Sequence, residues 1–286
     1  MQVLQYMGLS GARGTALVTA QAALFLVLYR CIMFFNCRIQ LLAIALAALT
    51  SPAAADSLGF RFADLTAVST TNGNAIFDQT RASVDFAITD QHGVQFDLGA
   101  TGYQGEYLGQ LDGHLYMMPT QGAKYGLFFS LADMDGREAT VGLVGVEGMF
   151  AISDSTEVHG RAGIGMALPG NMDFITLSLG ASHALSDQVA IYGGASVTEF
   201  DEAALRAVGT TARLGVSYQP LGRPWEISAA FVRDGLTGRD AAAFETRAEV
   251  GFTWHLGAGG GAKRSLAARS FANPQPFDPL LRRGMF

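Results

Sequence analysis

Ten charged residues stand out because each is flanked by apolar or small neighbours: Asp85, Asp97, Asp112, Glu157, Glu226 and Glu249, with Lys124, Arg161, Arg213 and Arg247. Val84 and Phe86 flank Asp85, and Phe96 and Leu98 flank Asp97. In an extended chain successive side chains point to opposite faces, so the charges gather on one face and the apolar residues on the other. A charged face of this kind supports two chemistries. It can line a water-filled passage whose wall selects solutes. It can also close into a paired interior, because an unpaired buried charge is costly. Pairing is therefore expected somewhere even if the passage is open. The mixed signs forecast no ion preference.

Five histidines add proton chemistry. His92 falls in a predicted turn; His114, His159, His183 and His255 fall on or near the charged faces. Ser178 or Ser182 with His159 or His183 has the residue types of a hydrolase, which needs a hydroxyl and a base within hydrogen-bond reach. No surrounding motif supports this, and both types are ordinary in a polar lumen. No His/Cys/Asp grouping has metal-ligand spacing. No glycine-rich loop follows a strand and opens a helix, as a phosphate site requires. The expectation is a protein that is not an enzyme and has no cofactor or metal.

The elements that must position these residues are strands. From Ala82 to Leu256, eleven segments alternate apolar and polar residues with period two. Leu214 and Val216 oppose Arg213 and Ser217, for example, and Val250 and Phe252 oppose Glu249 and Thr253. The segment from Ala139 to Ile152 is less regular. Its apolar residues step from Val141 and Leu143 to Val144 and Val146, which predicts a β-bulge.

The connections alternate as well. Asp90–Gly93, Pro119–Gly122, Ser153–Ser155, Leu185–Asp187 and Leu221–Pro224 are tight. The intervening connections are mostly longer, above all Glu199–Val208 and Asp234–Glu245. Successive hairpins then place all tight turns at one rim and all longer loops at the other, the pattern of membrane barrels. An even strand number follows if both ends of the barrel lie at the turn rim. A twelfth strand is accordingly predicted over Gly59 to Thr70, where the alternation (Phe60 and Phe62, then Leu65 and Ala67) slips once.

Composition agrees. Of 286 residues 49% are hydrophobic and 15% charged, yet long apolar runs occur only in the first 55. Those 55 hold both cysteines, Cys31 and Cys37, so the remainder has no disulfide framework. Residues 33–55 read as a secretory signal: Arg38, an apolar stretch Leu41 to Leu49, and small residues up to Ala55. Residues 1–32 read as an upstream extension from a start codon assigned too early. Removing the first 55 residues takes the formal charge from −6 to −9, which argues against nucleic-acid binding.

A soluble sandwich would show the same alternation. Export, strands of about 9–11 residues and small inward residues (Gly163, Gly180, Gly194, Gly215) favour a membrane barrel. Trp225, Trp254, Tyr125 and Tyr218 fall near strand ends, where interfacial aromatic girdles sit.

The last alternating segment resembles the assembly signal of bacterial outer-membrane β-barrels, with Glu249, Gly251, Trp254 and Leu256 at its polar, glycine and hydrophobic positions. The resemblance implies an outer-membrane address, contact with membrane lipid, and reading of that strand by the barrel-assembly machinery. The relatives include small-solute channels, a phospholipase and autotransporter translocators. One departure matters: 30 residues follow Leu256, with Pro274, Pro276 and Pro279 among them. This segment, 258–286, is expected to be a free periplasmic tail; a plug acting through Phe277, Leu280 and Leu281 is the competing expectation.

The reading is thus an all-β protein: a closed antiparallel up-and-down transmembrane barrel of about twelve strands over residues 56–257. Its expected function is passive diffusion of small solutes through an open lumen. A closed-lumen structural or adhesive protein is the first alternative, a lipid-modifying hydrolase the second.

Overall fold

The structure is a computed structural model that describes residues 59–71, 76–103, 106–135, 139–168, 172–202, 205–257 and 261–285. The signal and the upstream extension read from the sequence lie outside these residues.

Twelve strands form one closed antiparallel barrel in which each strand pairs with its neighbours in sequence. They are β1 (Gly59–Thr71), β2 (Ile76–Ala87), β3 (His92–Tyr103), β4 (Glu106–Thr120), β5 (Ala123–Met134), β6 (Ala139–Ser153), β7 (Thr156–Leu168), β8 (Met172–Ala184), β9 (Val189–Asp201), β10 (Arg206–Tyr218), β11 (Trp225–Gly238) and β12 (Ala242–Leu256). The seam closes where β1 pairs with β12, from Ala63 opposite Leu256 to Thr71 opposite Ala248. Closure satisfies the backbone of every strand within the sheet, which is what a hydrocarbon surrounding demands. The twelfth strand predicted over Gly59 to Thr70 is present, but its slip falls earlier than the sequence pattern places it: the register shifts between Phe60 and Phe62, which the pattern puts on one face. Phe60 points outward, half exposed, and Phe62 inward at 1%.

The outer face decides between membrane and water. Phe231 is 70% exposed, Leu214 68%, Ile164 62% and Leu179 61%, and the outward face of every strand but β2 carries exposed large apolar residues. A water-soluble barrel would not present a continuous apolar belt of that extent. Trp225 and Trp254 pair across β11 and β12, and Tyr218 packs edge-on to Trp225 at 6.2 Å. With Tyr125 they form an aromatic row at the tight-turn rim.

Two expectations are corrected here. The strands run 12 to 15 residues, longer than forecast. At about 3.3 Å per residue and a tilt near 40°, thirteen residues rise roughly 30 Å. The longer connections are consequently short, because pairing continues into them: β9 and β10 extend to Asp201 and from Arg206, and only residues 239–241 separate β11 from β12. Beyond the lipid, outward side chains need no apolar character, so polar residues there hide the strand. That last turn is pinned by Asp240, which accepts the Arg206 N–H at 2.8 Å, and by Gly238 at φ 104°. The Arg239 guanidinium and that N–H hold the Asp240 carboxyl below the usual carboxylate range.

The bulge expected in β6 is also absent. Its register with β5 and β7 is unbroken from Thr140 to Ala151. Val141 and Leu143 point inward and are buried, while Val144 and Val146 point outward. The apolar residues lie on both faces because something apolar occupies the lumen.

Candidate functional site

That occupant is residues 261–285, the segment expected to be a free tail. It enters at the tight-turn rim, where the Ala262 N–H bonds the Asp187 carbonyl and Lys263 pairs with Asp187. A short 3₁₀ turn (Leu266–Ala268) follows, then an extended stretch through Pro276, then a four-residue helix α1 (Asp278–Leu281) at the loop rim. Of the two expectations for the tail, the plug through Phe277, Leu280 and Leu281 is the one observed. All three are buried, Leu280 completely.

The lumen wall meets the tail in three tiers. At the turn rim, His255 Nδ1 lies 2.6 Å from Asp64, whose other oxygen accepts Ser270 Oγ at 2.8 Å. Arg264 pairs with Glu226 at 3.2 Å and Arg269 with Glu157 at 2.6 Å. Tyr116 donates to Asp85 at 2.6 Å and receives Arg61 at 2.8 Å. The Lys124 ammonium lies 3.4 Å from Asp85, sits 4.1 Å from the Tyr116 ring centre and donates to the Arg269 carbonyl at 2.8 Å.

In the middle tier His114 bridges two carboxylates, Asp97 at 2.8 Å and Glu147 at 2.5 Å. An imidazolium satisfies both, since it alone offers two N–H donors. Glu147 continues to Arg161 at 2.5 Å. Asp112 accepts Gln110 at 2.9 Å and the amide of Asn273, which in turn accepts Arg81 at 2.9 Å.

At the loop rim Arg247 joins Asp234, Glu249 and Asp278, the last at 2.9 Å. Tyr103 and Arg282 also donate to Asp278, at 2.9 and 2.8 Å. Arg213 reaches Glu249 at 2.9 Å. Phe277 stands edge-on to Phe174 at 4.7 Å and 5.3 Å from Phe200. Around it pack Tyr103, Met134, Val141, Leu143 and Leu236.

All ten charged residues read from the sequence therefore lie on the inner wall, and each has a partner. Six of them find that partner on the tail: Asp112, Lys124, Glu157, Arg161, Glu226 and Arg247. Breaking one member of such a buried group costs more than the pair contributes, because a charge is left without a partner. The assembly-signal residues divide by face: Glu249 is inward and buried, while Trp254 and Leu256 meet the lipid side. His159 opposes Gly180 and His183 bonds Thr156 Oγ1 at 2.9 Å. Among the described residues no hydrogen bond joins either histidine to Ser178 or Ser182.

Sequence reasoning missed Arg61, Arg81, Gln95, Gln110, Tyr116, Glu147 and the tail's own Asp278. One signal was available. Val141, Leu143, Phe174 and Phe200 lie on inward faces, where a solvated lumen would carry polar or small residues.

The tail does not fill the lumen. Along β7 to β10 it leaves a cavity of about 360 Å³, lined by Gly194, Ser178, Ser196, Thr176 and Thr211 with Arg161, Arg213 and Arg269. The expected open lumen is thus narrowed to one side of the barrel. Small side chains there set the wall back, and Phe271, Pro274 and Pro276 of the tail line the opposite side.

No family model matches the chain, and no curated protein sequence does. Solved structures do. An outer-membrane channel from Pseudomonas putida F1 superimposes with a TM-score of 0.51 at 10% identity, covering 69% of this chain and 96% of that one. The KdgM porin gives 0.49 at 12% identity over 67% and 98%, and the NanC porin 0.49 at 8% over 67% and 98%. At these identities the likeness is one of fold alone: a closed antiparallel β-barrel.

Proposed function

We propose that this chain is a passive channel for small solutes in the bacterial outer membrane, narrowed by its own residues 261–285. The cavity beside the tail carries the reading. A protein selected only for a rigid barrel gains by filling its interior, since each void forfeits packing contacts. Here a cavity of about 360 Å³ is kept, lined in part by hydroxyls, glycines and arginines. Polar walls of this kind hold water and small polar solutes. Arg213, with its side chain 36% exposed to the cavity, is the cation best placed to meet them.

Export would proceed through the signal over residues 33–55. The barrel-assembly machinery would read β12 through Glu249, Gly251, Trp254 and Leu256. The mixed signs of the wall favour weak ion selectivity. The closed-lumen alternative draws support from the tail network, which occupies the β2–β6 side.

Single-channel recording of residues 56–286, refolded into planar bilayers, tests the proposal. Discrete steps of reproducible, small size are expected. A barrel shown to be folded by heat-modifiable gel mobility, yet silent at all voltages, removes the channel reading and leaves the structural one.

A further inference from the structure

Four wall residues, Gln95 and Gln110 with Lys124 and Arg161, hold the tail by its main chain. Gln95 donates to the Phe271 carbonyl at 3.0 Å and accepts the Phe271 N–H at 2.8 Å, the pair of bonds a neighbouring strand would offer. Gln110 donates to the Pro274 carbonyl at 2.9 Å, Lys124 to that of Arg269 at 2.8 Å, and Arg161 to that of Ala272. Gln95 and Lys124 are fully buried, and Gln110 nearly so. Their orientation is itself fixed, since Asp97 holds Gln95 at 2.9 Å and Asp112 holds Gln110 at 2.9 Å. Buried amides aimed at a carbonyl ladder are not the loose polar lining of a water passage.

Side chains of the tail are held as well: Arg264 pairs with Glu226, Arg269 with Glu157, Asn273 bonds Asp112 and Asp278 pairs with Arg247, and two phenylalanines are seated in aromatic sites. Phe271 stacks on His114 at 5.4 Å and 12°, and lies 4.7 Å from the Lys124 ammonium. Phe277 fills the aromatic socket of Phe174 and Phe200. Between them Pro274 and Pro276 lack N–H donors, so that stretch has two fewer main-chain donors to satisfy.

We infer that the wall from β3 to β7 is a binding groove for extended peptides carrying spaced aromatic side chains, and that residues 261–285 are its resident ligand. Main-chain hydrogen bonds supply affinity without regard to sequence, and the ion pairs and aromatic pockets supply the selectivity, as in other extended-peptide sites. The cavity along β7 to β10 gives an incoming chain room beside the resident one. The inference rests on the channel reading, because it names peptides as the solute class that competes for this lumen.

The test uses the whole mature chain with a protease site in place of residues 258–260, cut after the barrel has folded. A fluorescent synthetic peptide of residues 262–285 is followed by anisotropy as it exchanges with the cut tail. Two unlabelled competitors are compared. One keeps Phe271, Phe277, the prolines and the wall-paired Arg264, Arg269, Ser270, Asn273, Asp278, Arg282 and Arg283 but replaces the other side chains by Ala or Ser; the other has only the two phenylalanines replaced by Ser. The first is expected to compete within about tenfold of the native peptide, and the second to need about 100-fold more or worse. A Gln95→Ala barrel is expected to bind every peptide about tenfold more weakly, whatever its sequence. Equal competition by both peptides, competition by the native sequence alone, or no exchange at all overturns the inference. Conductance of the cut barrel is recorded separately. Peptide binding by a silent barrel keeps the groove and removes the channel; steps from a barrel that binds no peptide do the reverse.

Discussion

Replacing Phe277 by Ala perturbs the tail where it is held most by packing. The ring is 4% exposed and touches Phe174 and Phe200 at 4.7 and 5.3 Å. Truncating a buried phenylalanine costs about 3–5 kcal/mol, including about 0.5–1.5 kcal/mol for each aromatic pair. The barrel wall is closed by its own hydrogen bonds, so the loss falls on tail docking rather than on the sheet. At about 1.4 kcal/mol per factor of ten, the lower figure raises the undocked fraction about 100-fold. Arg282 and Arg283 sit against Asp278 and Asp234 in the docked state, at 2.8 and 2.6 Å. Trypsin cuts them only when the segment leaves, and slow cutting tracks the open population. The cleavage rate at these arginines, read by mass spectrometry on refolded residues 56–286, is expected to rise by the same factor. Larger unitary steps should appear in bilayer recordings of the same variant. An unchanged cleavage rate in a Phe277→Ala protein whose barrel is folded would refute the reasoning, since the tail would then be held by something other than this socket.

Further outcomes follow from the wall and the belt. His114→Ala leaves Asp97 and Glu147 without their shared donor; a loss of about 3–5 kcal/mol is expected in urea unfolding from lipid vesicles, and a loss under about 1 kcal/mol would mean that water replaces the ring. Arg213→Glu sets two carboxylates side by side at the cavity wall, and the reversal potential in a salt gradient should move toward cation preference; no movement would place the ion path elsewhere. Ile164→Arg puts a charge on the lipid face in the middle of β7, where Ile164 is 62% exposed. It should cost about 2–4 kcal/mol in refolding into vesicles, and a neutral result would contradict the assignment of that face to lipid.

The sequence alone determined the barrel. Period two is a local property, and so are tight turns; together they specify antiparallel neighbours, the two rims and the even count. That β1 slips once was legible, but not where: Phe60 and Phe62 read as one face, and the bulge lies between them. The ten inward charges were legible from the same local period. What they pair with was not. Asn273 lies 161 residues from Asp112, and Phe271 lies 176 from Gln95. No period or turn encodes a contact across that distance, and several of these bonds are made to main-chain atoms that every residue possesses. The tertiary structure alone decided that the tail enters the lumen. That decision in turn explains why Val141 and Leu143 are apolar on an inward face: they pack against a segment whose position only the closed barrel defines.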